Sequence, residues 1–163
     1  MMVRECRIYV AKVSNDDDTK KRYPVQNPHK YLGDPNVIIR SSWEARVFDF
    51  CDNNQHVLAW ASEEKEFVIP YMKPHPTGGY TPANYFPDLY IEYVDRNGDI
   101  HKEIFEVKPK KFTKKSRSRK EETKNFENYQ YIVNMAKFQA AELWCKQRGY
   151  KFNILSEDSI FRD

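Results

Sequence analysis

The chain begins with a weak alternation, Cys6, Ile8 and Val10, and then runs into Ser14-Asn15-Asp16-Asp17-Asp18-Thr19-Lys20-Lys21-Arg22, which has nothing to bury. This predicts an N-terminal arm or short strand with an acidic loop over residues 1–23, ahead of a single domain over 24–163. Pro24, Pro28 and Gly33-Asp34-Pro35 keep the backbone irregular up to Ser41. There the period becomes helical: Trp43, Val47, Phe50 and Cys51 fall at i, i+4, i+7 and i+8, and Ser41 with Glu44 has the spacing of a capping box. A helix therefore starts at Ser41 and ends near Asp52-Asn53-Asn54. Val57 to Trp60 and Lys65 to Tyr71 read as strands, followed by a proline-punctuated loop from Lys73 to Pro82 with a mobile tip. Two further strands, Asp88 to Asp95 and Asp99 to Lys108, are joined by Arg96-Asn97-Gly98, a strong hairpin signal. From Asn125 to Arg148 a long helix carries Tyr129, Val133, Ala136, Ala140 and Trp144 on one face and stops at Gly149. An alternating strand, Tyr150 to Leu155, follows it. Helix, strands, helix, strand is the order of an α/β (α+β) fold, a mixed central sheet flanked by helices.

The 163 residues suit one core rather than two. No apolar run approaches the roughly 20 residues a membrane span needs, so no membrane partner is expected. Met1 to Arg7 lacks an apolar stretch and cleavage site, which points to action in a cytoplasm. Three scattered cysteines, Cys6, Cys51 and Cys145, argue against a disulfide framework and read as reduced and mostly buried. Aromatic residues reach 15% while leucines are few, so Tyr and Phe must fill much of the core. The net charge of +3 hides an uneven distribution. Lys108 to Lys124 holds nine basic and two acidic residues, +7, which leaves −4 for the rest of the chain. A run of this kind over 109–124 suits a flexible solvated connection or a phosphate-binding strip.

The sharpest chemistry lies in the hairpin, with Pro87-Asp88 opening its first strand and Glu106-Val107-Lys108 closing its second. Register decides whether the acids meet, because a slip of one residue turns a side chain to the other face. A two-residue Asn97-Gly98 turn would place Asp88 opposite Val107. A three-residue loop with Gly98 left-handed in a G1 bulge places it opposite Glu106, so that Asp88, Glu106 and Lys108 converge while Phe105 and Val107 enter the core. The three-residue loop is the expectation taken here. Two carboxylates so close repel unless a hard cation sits between them, and Mg²⁺, with Mn²⁺ as a substitute, takes one or two carboxylates plus water and phosphate oxygens. Lys108 would then orient an attacking water or stabilise charge on a phosphoryl group. The same letters also suit an ordinary exposed strand face. Glu44 lies inside the apolar arc of its helix, where it caps the helix with Ser41 or joins the metal shell. Arg40 is solvated or binds phosphate. In the basic run, Lys110, Lys111, Lys114, Lys115, Arg117, Arg119 and Lys120 are candidate DNA-backbone contacts. Lys137 and Gln130 flank the apolar stripe of the long helix within reach of substrate and read mainly as structural. His29, His56, His75 and His101 share no ligand spacing, and Glu157 and Asp158 read as caps or surface charges.

Asp88, Glu106 and Lys108, with Glu44 on a preceding helix, resemble the PD-(D/E)xK nuclease superfamily and its restriction-endonuclease-like core. More specifically, Asn27 to Pro35, Arg40 to Glu44, Cys51 to Asn54, Trp60 to Glu64 and Tyr85 to Asp88 are similar to the head completion nucleases of T-even-type tailed phages. The similarity continues through Glu106 to Lys110, Ala136 to Ala141 and Arg148 to Phe152, and covers roughly Pro24 to Glu157. The first two dozen residues depart from that pattern, and nothing is carried over to them. The resemblance implies a metal-dependent DNA nuclease acting on packaged phage DNA during head completion and head–tail joining. Its setting would be the cytoplasm of an infected bacterial host, with DNA and phage head or neck proteins as partners. Carried over residue by residue, Asp88 and Glu106 would hold Mg²⁺, Lys108 would assist the water and the transition state, and Glu44 would complete or support the metal shell. A non-catalytic DNA-binding head-closure protein is the alternative.

Overall fold

The computed structural model describes residues 21–160. A four-stranded mixed sheet lies at its centre, in the order β1 (Val57–Ala61), β4 (Leu89–Val94), β5 (Ile100–Val107) and β6 (Lys151–Leu155); its pairs are antiparallel except β5 with β6. Helix α1 (Ser42–Asn53) covers one face, and α2 (Glu121–Arg148) covers the other together with a separate hairpin, β2 (Ile69–Pro74) and β3 (Tyr80–Tyr85). A short helix α3 (Glu157–Ile160) follows β6. On the α1 face, Phe48, Cys51, Trp60, Leu89, Ile91 and Phe105 form one buried cluster, with Trp60 meeting Tyr23, Tyr31 and Phe48 ring to ring. The aromatic surplus thus does become core. On the α2 face Tyr90, Ile104 and Cys145 pack together, and Ile69, Tyr71 and Tyr85 of the hairpin pack on Ala141. Cys51 and Cys145 are buried and free, as expected; Cys6 and the acidic Asp16-Asp17-Asp18 run lie outside the described residues. Among the described residues no helix is long and apolar enough to cross a membrane.

The ends of the helices follow their local chemistry. Ser41 caps α1, its Oγ accepting the Glu44 N–H at 3.1 Å. Gly149 ends α2 in the left-handed conformation, φ +72°. Three expectations need correction. Lys65–Phe67 is a short 3-10 turn, and the strand expected from Lys65 begins at Ile69 instead. The loop expected over Lys73 to Pro82 is largely paired, with Pro74 opposite Tyr80 and Met72 opposite Pro82. Proline is tolerated there because a two-stranded ribbon has only edges, so a missing N–H need break no inner ladder. Finally, α2 starts at Glu121 and buries Val133, Phe138, Ala141 and Cys145, a stripe shifted from the one read in the sequence.

The segment before α1 belongs to the body of the fold. Lys21 to Tyr23 bridges to Val37 to Ile39 through the Tyr23 N–H on the Val37 carbonyl, 2.9 Å, and the Ile39 N–H on the Lys21 carbonyl, 2.8 Å. Asp52, fully buried at the end of α1, clamps this segment: it accepts the N–H groups of Gln26 at 2.6 Å and Asn27 at 3.1 Å and the Tyr23 hydroxyl at 3.2 Å. Removing the carboxylate takes the acceptor from two part-buried N–H groups at once and leaves the buried Tyr23 hydroxyl only its longer bond to Asp49, at 3.5 Å. Asp52→Ala should lower unfolding free energy by about 3 kcal/mol, read as a fall in the urea midpoint; a loss below about 0.5 kcal/mol would show that the clamp carries no weight.

Candidate active site

Strands β4 and β5 meet through the three-residue loop. The Asp95 N–H donates to the Asp99 carbonyl at 2.9 Å, the Gly98 N–H donates to the Asp95 carbonyl at 3.1 Å, and Gly98 has φ +85°. Leu89 consequently pairs with Phe105, and one step further along the same register Asp88 stands opposite Glu106, on the face that Tyr90 and Ile104 turn to α2. Phe105 and Val107 turn to the α1 side, as the loop geometry requires. The Asp88 carboxylate extends the ladder by accepting the Val107 N–H at 2.7 Å. Glu106 is 4% exposed; one oxygen accepts the Tyr85 hydroxyl at 2.6 Å and the other accepts the Lys108 ammonium at 3.3 Å. Lys108 is itself anchored where its N–H meets the Leu155 carbonyl of β6, 2.9 Å away.

Burial dominates the electrostatics. It raises the Asp88 carboxyl to about 8, with the neighbouring Glu106 charge adding to the rise; the Val107 N–H and the Lys108 ammonium oppose it. Burial and the same Glu106 charge hold the Tyr85 hydroxyl firmly protonated, so it stays a donor. Glu63, in the turn after β1, also has a raised pKa through burial, opposed by Arg40 and reinforced by Glu44. Its φ of +51° is the one positive value at a non-glycine residue among the described residues. The turn is pinned from outside by Tyr31, whose hydroxyl bonds the Glu64 carboxylate at 2.9 Å and accepts the Ser62 N–H at 3.2 Å.

The other candidate residues scatter around this centre. Glu44 accepts the Arg40 N–H at 2.9 Å and the Ser41 hydroxyl at 3.3 Å, so its oxygens serve the start of the helix while its charge reaches Asp88 and Glu63. The Arg40 guanidinium pairs with Glu63 at 2.5 Å. Lys110, Lys111, Lys114, Lys115, Arg117, Arg119 and Lys120 are all exposed, and Lys110 pairs with Asp158. Their segment is tied down at several points: the Lys110 N–H reaches Glu157 at 2.9 Å, the Phe112 carbonyl accepts from Asn134 at 3.2 Å, and the Ser116 N–H reaches Asn128 at 3.0 Å. Sequence reasoning had singled out neither Tyr85 nor Glu63. Tyr85 acts across a gap of 21 residues with no periodicity to mark it, and nothing in a Ser-Glu-Glu string announces a left-handed glutamate.

The donor set determines which ion fits. Among the described residues, no group of three or more His, Cys, Asp or Glu gathers as a ligand set, and the converging acids are the pair Asp88 and Glu106. Two carboxylates, one buried and one half-buried, without nitrogen or sulfur suit a hard cation that keeps water or phosphate oxygens in its remaining positions, and suit zinc poorly. The acid pair also has a consequence for stability without any ion. Asp88 holds its proton more tightly folded than unfolded, so the native state binds more protons between pH 4 and 8 and stability falls as pH rises through that window. Asp88→Asn keeps the shape and the acceptor while removing the charge. In cation-free buffer at pH 8 it should be more stable than the wild type by at least about 1 kcal/mol by urea denaturation, with no gain at pH 4; equal stability at both values would contradict the crowding.

The family model of the TnsA-like endonuclease N-terminal domain matches residues 54–157, which include all of the strands, α2, Asp88, Glu106 and Lys108. The head completion nuclease of Enterobacteria phage T4 is 37% identical over 143 residues, 83% of this chain and 89% of that protein. No solved structure matches significantly. With its restriction-endonuclease-like mixed sheet and these two matches, the chain belongs to the TnsA-like endonuclease family and is a nuclease.

Proposed function

We propose that this nuclease hydrolyses phosphodiester bonds of DNA at Asp88, Glu106 and Lys108, with Mg²⁺, or Mn²⁺ in its place, held by the two carboxylates. The observation that carries the reading is their convergence at the ends of adjacent central strands, crowded together with Glu106 buried and Asp88 half-buried. A bound cation would supply charge against the phosphoryl oxygens and make a coordinated water easier to deprotonate. The chain's own groups set the stage around it. Tyr85 fixes the orientation of Glu106 through its hydroxyl, and the Val107 N–H does the same for Asp88. Lys108 places an ammonium beside Glu106, where it orients the attacking water and stabilises developing negative charge. Glu44 supports the metal shell through its charge, and Arg40 with the exposed lysines and arginines of 110–120 holds the DNA backbone.

The T4 relative is named for head completion, which supports a setting in phage assembly. We infer action on packaged DNA during head completion and head–tail joining, in the cytoplasm of an infected bacterium, with DNA and head or neck proteins as partners. Asp88→Asn and Lys108→Ala should each lower cleavage of linear and circular duplex in Mg²⁺ by about 100-fold or more, with duplex binding retained. EDTA should abolish the wild-type activity. A protein that binds DNA with salt sensitivity yet cuts no form in Mg²⁺ or Mn²⁺ would instead be a non-catalytic head-closure component. Reversing the charge of Lys111, Lys114, Lys115 and Arg117 should weaken duplex binding and flatten its dependence on salt by roughly 0.9 in log–log slope per lost phosphate contact. An unchanged slope would make the segment a solvated connection only.

A further inference from the structure

We propose that Lys137 of α2 is a further catalytic residue, its ammonium meeting a non-bridging oxygen of the phosphodiester being cut; the proposal rests on the nuclease reading above. Lys137 lies one helical turn from Val133 on one side and Ala141 on the other, on the stripe that α2 buries against the sheet and hairpin. A charged residue at such a position loses hydration and needs compensation. Its ammonium stands over the Tyr85 ring, 5.3 Å from the centroid, and the hydroxyl of that ring is the group bonded to Glu106 at 2.6 Å. Among the described residues no carboxylate lies within ion-pair distance of it. Lys137 therefore sits beside the acid pair with its charge only partly offset.

The charges around it show what it is arranged for. Burial lowers the Lys137 pKa; Glu106 and Asp88 favour its charged form, while Lys108 and Lys73 oppose it. Lys108, just after β5, and Lys137 of α2 thus both act on the two acids, and Lys73 of the hairpin adds a third positive charge that Lys137 feels. A divalent cation on those acids would cancel their charge and leave both Lys108 and Lys137 to meet an anion. The phosphodiester backbone is the anion a nuclease brings there, and a compact ammonium on a flexible stem suits a single phosphoryl oxygen. The adjoining surface agrees, since Phe67 to Pro87 contains no acidic residue and its hairpin carries Lys73 exposed on β2. A DNA strand crossing from the hairpin to the acid pair meets no repelling carboxylate from that segment.

The test uses the full-length protein with three readings: single-turnover cleavage of a duplex in Mg²⁺, equilibrium binding of the same duplex without divalent cation, and thermal melting. Lys137→Met keeps the aliphatic stem over Tyr85 and removes the charge. It should cut about 100-fold more slowly than the wild type while cation-free duplex affinity stays within about threefold and melting is unchanged. Lys137→Arg should recover at least about a tenth of the wild-type rate. Cleavage by Lys137→Met within about threefold of wild type overturns the proposal. So does a Met variant that loses melting temperature along with activity while Lys137→Arg does no better, since Lys137 would then matter only for packing. If the Met variant does not fold, Lys137→Gln is judged by the same readings. Wild-type protein that fails to cut at all overturns the nuclease reading itself, a result distinct from a variant that cuts as well as the wild type.

Discussion

Asp88 and Glu106 face each other from adjacent strands, where burial and mutual repulsion both disfavour two negative charges. The pair's surroundings are arranged to make that placement tolerable. The Val107 N–H and the Tyr85 hydroxyl each give a carboxylate a short hydrogen bond, and Lys108 supplies a cation. The compensation is incomplete, since Asp88 still sits at about 8. Such a residual is a cost to folding unless the pair receives something from outside, and a hard cation in contact with a phosphate is what two crowded carboxylates with neighbouring ammonium groups can receive.

The fold serves this centre by assigning its parts to rigid elements. The β4–β5 ladder fixes the spacing of the acids, β6 pins Lys108, and the hairpin β2–β3 delivers Tyr85 because its inner face packs on α2. On the far side of the sheet the aromatic core around Trp60 and the Asp52 clamp hold α1, and with it Glu44 and Arg40, in register with the sheet edge. Among the described residues, Glu63 is the one non-glycine held in the left-handed conformation. Tyr31 holds both flanks of its turn, and the left-handed glutamate is what reaches Arg40. Stability and chemistry are therefore linked at both ends of the same strands.

What the sequence made legible was local. Arg96-Asn97-Gly98 contains enough turn chemistry to choose the register, and the register alone brings Asp88, Glu106 and Lys108 together. Ser41 with Glu44 announced the start of α1, and Gly149 the end of α2. The illegible parts depend on distant partners. The β3 strand hid behind Pro74, Pro76 and Pro82, because a proline-rich ribbon looks like a loop until α2 gives its inner face something to pack on. Lys137 flanked an apolar stripe and was read mainly as structural; its place beside Tyr85 depends on tertiary packing that no helical period encodes. Asp52 marked only the end of a helix in the sequence, although it is the buried acceptor for a segment about 25 residues earlier.

The central claim is that the crowded carboxylates form one cation site, where an arriving cation displaces the proton that Asp88 holds. Calorimetric titration of the purified protein with Mn²⁺, in buffers of differing ionisation enthalpy, counts the protons released per ion bound. With Asp88 at about 8, binding at pH 7 should release about one proton, and at pH 9.5 almost none. Binding at pH 7 without proton release, or binding undiminished in Asp88→Asn, would contradict the account.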